Sequence, residues 1–132
     1  MYRIIVADDE IEFRKWFRSL ISNCSDLELV GEASNGKETL QLVKEMAPDL
    51  VVADLYMPEP DGLEIARLIK QRSPGVRIIL TSANSDSIYN KLAKEEGALA
   101  FIPKVTFSLR NLRQVLQKKG WLQLSYPHLE HC

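Results

Sequence analysis

The residues most able to do chemistry together are Asp8, Asp9, Asp54, Thr81 and Lys104. Each stands at the end of a short apolar run. Asp8-Asp9 follows Ile4-Ile5-Val6-Ala7, Asp54 follows Leu50-Val51-Val52-Ala53, Thr81-Ser82 follows Ile78-Ile79-Leu80, and Lys104 follows Phe101-Ile102-Pro103. Three carboxylates brought within a few ångström repel, and one is driven to protonate unless a cation sits among them. Oxygen donors without His or Cys suit a hard cation, and Mg²⁺ takes one or two carboxylates, keeps waters and serves phosphoryl chemistry. A strand-end carboxylate can also act as a nucleophile and form an aspartyl phosphate. A lysine ammonium and a threonine hydroxyl then suit the remaining phosphoryl oxygens.

Taken singly, most of these residues have plainer roles open to them. Asp9 can cap a helix, Thr81 is an ordinary strand residue, and Lys104 can be a solvated loop lysine. Asp54 is different, because an acid closing a fully apolar run is expensive unless it is paired or solvated at the sheet edge. The signal lies in the joint arrangement, and that depends on the elements beneath it.

Two kinds of segment alternate along the chain. Short, mostly β-branched runs at 3–7, 27–31, 50–53, 76–80 and 99–102 predict strands buried on both faces. Between them lie stripes with helical spacing: Phe13, Phe17, Leu20 and Ile21; Leu40, Val43 and Met46 or Ala47; Ile65, Leu68 and Ile69; Leu109, Leu112, Val115 and Leu116. Asp9/Glu12, Asn35/Glu38 and Asp61/Glu64 have capping-box spacing. Stops are expected at Pro48, Ser73-Pro74-Gly75, Gly97 and Gly120. The fourth helix, about 85–96, shows little more than Ile88 and Leu92 as an apolar face, so a comparatively mobile element is expected there. The alternation predicts a doubly wound α/β fold, a five-stranded parallel sheet with five helices. In such folds ligands bind outside the carboxyl ends of the strands, where the residues above converge.

Composition bounds the function. A chain of 132 residues with 45% hydrophobic and 27% charged residues is one domain's worth of globular material. Lys plus Arg number 17 against 18 Asp plus Glu, which argues against nucleic acid binding by bulk charge. No run suits a membrane span or a signal peptide, so no membrane partner and a cytoplasmic location are expected. Cys24 and Cys132 have no metal spacing and form no disulfide framework, and Cys24 reads as a small core residue. Residues 120–132 shift to fewer charges and more aromatics, Trp121 and Tyr126 among them. They read as a tail or linker after a domain at 1–119, and His128 and His131 lie too near the end to suggest a metal site.

The chain resembles the receiver domain of bacterial two-component response regulators. The matching motifs are Ile5-Val6-Ala7-Asp8-Asp9-Glu10, then Asp54-Leu55-Tyr56-Met57-Pro58 with Asp61-Gly62, then Ile79-Leu80-Thr81-Ser82, and Lys104. The stretch Val30-Gly31-Glu32-Ala33-Ser34-Asn35-Gly36 is similar to the subfamily whose receivers precede a helix-turn-helix output domain. The resemblance implies a flavodoxin-like sheet of order 2-1-3-4-5 and a phosphoryl group accepted on Asp54 from a sensor histidine kinase. It implies Mg²⁺ held by Asp9, Asp54 and the Tyr56 backbone carbonyl, with Asp8 assisting through water. Thr81 and Lys104 would bind the phosphoryl group, and Phe101 would be the aromatic switch. The fourth helix, fifth strand and fifth helix would carry the output to an output domain or downstream protein, with homodimer formation on phosphorylation. Such a domain is not an enzyme beyond its own phosphorylation and slow dephosphorylation.

Three departures stand out. Val105 follows Lys104 where the family commonly has Pro, which puts the usual cis bond there in doubt. Pro60 should stiffen the loop that carries Tyr56. Ser82 follows Thr81 where Ala or Gly is frequent. Rival readings fare worse. An aspartate-nucleophile phosphatase of the haloacid-dehalogenase type wants an acid two residues after the nucleophile, where this chain has Tyr56. A flavodoxin-like cofactor binder would not line its site with three acids. A pseudo-receiver, a pure interaction module, would not need the full set Asp8, Asp9, Asp54, Thr81 and Lys104.

Overall fold

In the computed structural model, which describes residues 1–118, the elements alternate without exception. They run β1 (Tyr2–Ala7), α1 (Ile11–Ile21), β2 (Leu27–Ala33), α2 (Gly36–Met46), β3 (Leu50–Asp54), α3 (Gly62–Arg72), β4 (Arg77–Ser82), α4 (Ile88–Glu95), β5 (Ala100–Pro103) and α5 (Leu109–Lys118). A single turn of 3₁₀ helix, Lys104–Thr106, joins β5 to α5. The five strands are parallel in the order β2-β1-β3-β4-β5. Both the fold class and the strand order agree with expectation.

The near-continuous apolar runs follow from two-sided burial. Side chains of a strand alternate between faces. Ile5, Ala7, Val51, Ala53 and Leu80 therefore pack on one side with Val43 of α2, Ile65 and Ile69 of α3, and Ala93 of α4. Ile4, Val6, Leu50, Val52, Ile79 and Ile102 pack on the other side with Phe17 and Ile21 of α1 and Leu112 and Leu116 of α5. β3 ends in Asp54 and β4 in Thr81-Ser82, as expected.

The expected caps hold in two places of three. Asn35 Oδ1 accepts from the Glu38 N–H at 2.8 Å, and Asp61 Oδ1 from the Glu64 N–H at 3.0 Å. The return arm of Glu38 goes to the Ser34 N–H and hydroxyl, one residue before the box position. Asp9 does not cap α1. That helix starts later, at Ile11, with Glu10 at the cap position and no side-chain cap. The intervening turn is instead tied by Asp8 Oδ1, which accepts from the Glu10 N–H at 2.8 Å.

α4 starts at Ile88 rather than near residue 85, and Ile88 is exposed. Its buried side chain is Ala93, with Tyr89 packed beside it. The segment ahead of it is held by short-range bonds. Ser82 Oγ accepts from Asn84 N–H, Asn84 Oδ1 from Asp86 N–H, and Asp86 Oδ1 from Ile88 N–H. Such local side-chain bonds compete with helix and account for the late start. Cys24 is buried in the core cluster that includes Phe17 and Ile21, as a small core residue would be. The expected stop at Gly120, the boundary at 119 and the 120–132 tail lie outside the described residues.

The loop after β3 is clamped to its neighbours. The Leu55 N–H donates to Thr81 O (2.9 Å), the Gly62 N–H to Leu55 O (3.0 Å), and the Gly36 N–H to Pro58 O (3.0 Å). The Glu59–Pro60 peptide in this loop is cis, whereas Lys104–Val105 is trans. Gly36 lies so close that a Cβ there would fall 1.9 Å from the Pro60 carbonyl oxygen. Gly36→Ala is therefore expected to destabilise the fold by about 2 kcal/mol or more in denaturant unfolding. Gly75→Ala, where a Cβ meets nothing within 4 Å, should change stability by less than about 0.5 kcal/mol. Equal effects of the two substitutions would contradict the clamp.

Candidate functional site

The carboxyl edge of the sheet gathers the residues that the sequence singled out. Asp54 closes β3 directly opposite Thr81 in the register of β4. Asp8 and Asp9 follow β1, the neighbouring strand. Lys104 opens the 3₁₀ turn after β5. Oxygens of Asp8, Asp9 and Asp54 all lie within 4.8 Å of one another. Asp8 and Asp54 are buried, the latter 5% exposed, while Asp9 faces solvent.

Among the described residues, one ammonium faces this cluster. Lys104 Nζ is 2.8 Å from Asp8 Oδ2, 2.7 Å from Glu10 Oε1 and 3.9 Å from Asp54 Oδ2. The contact with Asp8 is close in distance but outside hydrogen-bond geometry, so Asp8 Oδ2 is left without a hydrogen-bond partner. The ammonium also lies 4.7 Å from the centre of the Phe13 ring, a cation–π contact that fixes its remaining side.

The electrostatic consequence is largest at Asp54. Burial, reinforced by the neighbouring Asp8 charge, pushes its carboxyl up to about 7. Lys104 and a hydrogen bond from the Tyr56 N–H oppose the shift without cancelling it. Burial also raises Asp8, against Lys104 and the Glu10 N–H. The site thus holds more negative charge than its own lysine neutralises. A set of carboxylates this close, all oxygen donors, fits a hard divalent cation.

Thr81 is fully buried, and its hydroxyl has no hydrogen-bond partner. Buried hydroxyls are seldom left so, and this one suits a ligand oxygen at the strand edge. Phe101 is buried on the α4 side of β5, its ring 5.6 Å from that of Tyr89. Tyr89 hydrogen-bonds through its hydroxyl to that of Tyr56, whose ring stands edge-on to it at 6.2 Å. The Tyr56 side chain is 56% exposed, so it is the residue's backbone that belongs to the clamped loop.

All the expected residues are therefore found along one edge, with Phe101 set behind the others. Sequence reasoning missed three participants: Glu10, which binds Lys104; Phe13, which lies against it; and Tyr89, which links Tyr56 to Phe101. Glu10 was detectable in principle as a third acid beside the pair. Phe13 was legible as helix core, and nothing in spacing alone ties Tyr89 to Tyr56.

Comparison with known proteins gives a consistent picture. The family model described as "Response regulator receiver domain" matches residues 4–117. The Bacillus subtilis (strain 168) transcriptional regulatory protein YhcZ is 38% identical over 104 residues, 79% of this chain and 49% of that protein. A protein-glutamate methylesterase/protein-glutamine glutaminase of Nocardioides sp. is 38% identical over 77% of this chain and 28% of its own length. The chain thus spans about half, or less, of the curated relatives it matches. Among solved structures, the signal receiver domain of the putative response regulator NarL from Mycobacterium tuberculosis superposes with a TM-score of 0.82. It is 28% identical, over 90% of this chain and 96% of that one. A two-component response regulator of the LuxR family from Aurantimonas sp. gives 0.79 at 32% identity, over 89% and 83%.

The raised Asp54 carboxyl has a sign that can be checked. Its folded value near 7 exceeds the unfolded value of about 3.9, so the folded state binds the extra proton and stability falls as pH rises from about 4 to 7. Asp54→Asn should remove that loss. In metal-free buffer at pH 8 the variant should be more stable than the parent by on the order of 2–4 kcal/mol, and the difference should vanish near pH 4. Parallel melting-temperature profiles for the two proteins across this range would contradict the assignment.

Proposed function

The chain belongs to the response regulator receiver domain family, and on that premise we propose that it accepts a phosphoryl group on Asp54. The observation that carries this reading is the buried edge itself. Asp54 is a nearly inaccessible carboxylate beside excess negative charge, and an unpartnered Thr81 hydroxyl shares its strand edge. Neither feature helps the fold, and both suit the binding of a cation and a phosphoryl group.

Asp8, Asp9 and Asp54, with the backbone carbonyl of Tyr56, would hold Mg²⁺. When bound, Mg²⁺ supplies positive charge that offsets these carboxylates and the phosphoryl oxygens. A carboxylate oxygen of Asp54 attacks phosphorus, and the bond from phosphorus to the donor breaks, its electron pair leaving with the donor. The Tyr56 N–H, by hydrogen-bonding the carboxylate, fixes its orientation. Thr81 donates its hydroxyl hydrogen to a phosphoryl oxygen, and Lys104 pairs with another. The added charge of roughly −1.5 to −2 draws these two groups inward.

Thr81 lies on β4, next to β5, which carries Phe101. A shift of Thr81 would give Phe101 room to change rotamer, and α4 and its neighbours would respond. α4 suits this role because it buries a single small side chain. A sensor histidine kinase is the proposed donor. The output lies in a partner or a domain beyond residues 1–119, with pairing of two copies on phosphorylation. The relatives include transcriptional regulatory proteins and protein-glutamate methylesterases at equal identity, and the 30–36 stretch supports a transcription-regulating output. We place the chain in the cytoplasm, where such kinases present their phosphohistidine. No helix among the described residues is long and apolar enough to cross a membrane. The presence of Asp8, Asp9, Asp54, Thr81 and Lys104 disfavours a receiver that works without phosphate.

Incubated with Mg²⁺ and acetyl phosphate, the protein should gain one phosphoryl mass by intact-mass spectrometry, and Asp54→Ala should gain none. No gain by the parent, or an equal gain by the variant, contradicts the reading.

A further inference from the structure

We propose that Glu10 is a positioning residue that holds Lys104 back from Asp54 and thereby slows phosphoryl entry. The inference rests on the phosphoacceptor reading above and adds a residue to it. Lys104 Nζ donates to Glu10 Oε1 at 2.7 Å and contacts Asp8 Oδ2 at 2.8 Å, while Asp54 Oδ2 stands at 3.9 Å, beyond hydrogen-bond reach. Phe13 closes off another side of the ammonium. Lys104 is therefore committed to the β1–α1 turn rather than to the nucleophile.

The Glu10 side chain has no evident structural duty. It is 65% exposed, while the Lys104 side chain it meets is 14% exposed. The backbone N–H of Glu10 is what ties the turn, through Asp8 Oδ1. Its carboxylate reaches over the surface to a lysine that follows β5, a separation of 94 residues in sequence. The bond has two effects on an incoming phosphoryl group. It occupies a donor that the phosphoryl oxygens need. It also leaves a negative charge one ammonium away from the point where a dianion must enter, in a partly desolvated setting where such repulsion is felt. The ammonium must exchange the Glu10 oxygen for a phosphoryl oxygen, and the exposure of Glu10 lets water take up the released carboxylate.

Glu10→Gln keeps the shape and removes the charge. Glu12→Gln removes the same charge from the first turn of the same helix, where Glu12 is 85% exposed and faces Lys15 at 4.0 Å, not Lys104. With acetyl phosphate and Mg²⁺, the rate at which Asp54 displaces acetate from phosphorus should rise about threefold to tenfold in Glu10→Gln. It should stay within about twofold of the parent in Glu12→Gln. The parent–Glu10→Gln difference should shrink as salt is raised. An unchanged or slower rate in Glu10→Gln, or an equal gain in Glu12→Gln, overturns the proposal. A second readout needs neither metal nor phosphate. In metal-free parent protein the Lys104 ammonium should give a protected ¹⁵N–¹H resonance, lost in Glu10→Gln and kept in Glu12→Gln; its survival in Glu10→Gln overturns the proposal. If the parent itself takes no phosphate, the phosphoacceptor reading fails, and the ammonium resonance alone decides whether Glu10 holds the lysine.

Discussion

Two carboxylates, Asp8 and Asp54, are held out of water at the ends of adjacent strands, and the Lys104 ammonium faces both. Burial of a charge is tolerated only when pairing and hydrogen bonds compensate it. Here compensation is incomplete by design of the topology, since β1 and β3 are neighbours and both end in acid. The domain resolves the imbalance in part by raising both carboxyls, Asp54 to about 7. The remaining imbalance is what suits the edge to a hard cation. The packed strands beneath, with buried apolar side chains on both faces, supply the rigidity that keeps the acids from moving apart.

Rigidity is distributed unevenly around this edge. The loop that follows Asp54 is fastened to β4, to α3 and to the N-terminus of α2. α5 is anchored by fully buried Leu112 and Leu116 and by a two-pronged Arg113–Asp26 ion pair, at 2.7 and 2.9 Å, to the turn before β2. α4 has no comparable anchor. It buries Ala93, lacks a side-chain cap, and touches the site through the Tyr56–Tyr89–Phe101 series of aromatic contacts. A change in charge at Asp54 therefore meets stiff resistance from the loop and α5, and the least from α4.

Much of this was legible in the sequence for identifiable reasons. Two-sided burial forces apolar runs, so the strands could be expected, whereas their order came only with the resemblance. An acid closing such a run, as at Asp54, stands out against its surroundings. The capping side chains of Asn35 and Asp61 bond within three residues, a range that spacing captures. What escaped is tertiary. The Asp9/Glu12 spacing matched a capping box, but the turn is tied through Asp8, and Asp9 is left for the acid cluster. Ile88 looked like the buried face of α4, but the 82–88 segment is taken up by local side-chain bonds, and Tyr89 turns inward instead. The grip of Glu10 on Lys104 joins the two ends of the domain, a pairing that no local pattern encodes.

The central claim is that Asp54 sits in a site whose burial and negative charge keep its carboxyl well above the ordinary range until a cation arrives. The direct measurement is a ¹³C NMR titration of the aspartate side-chain carboxyl carbons in metal-free protein, with Asp54 assigned by its loss in Asp54→Asn. The account predicts a midpoint for Asp54 near 7 and a marked fall when Mg²⁺ is added. A midpoint near the ordinary value of about 4, unchanged by Mg²⁺, would contradict it.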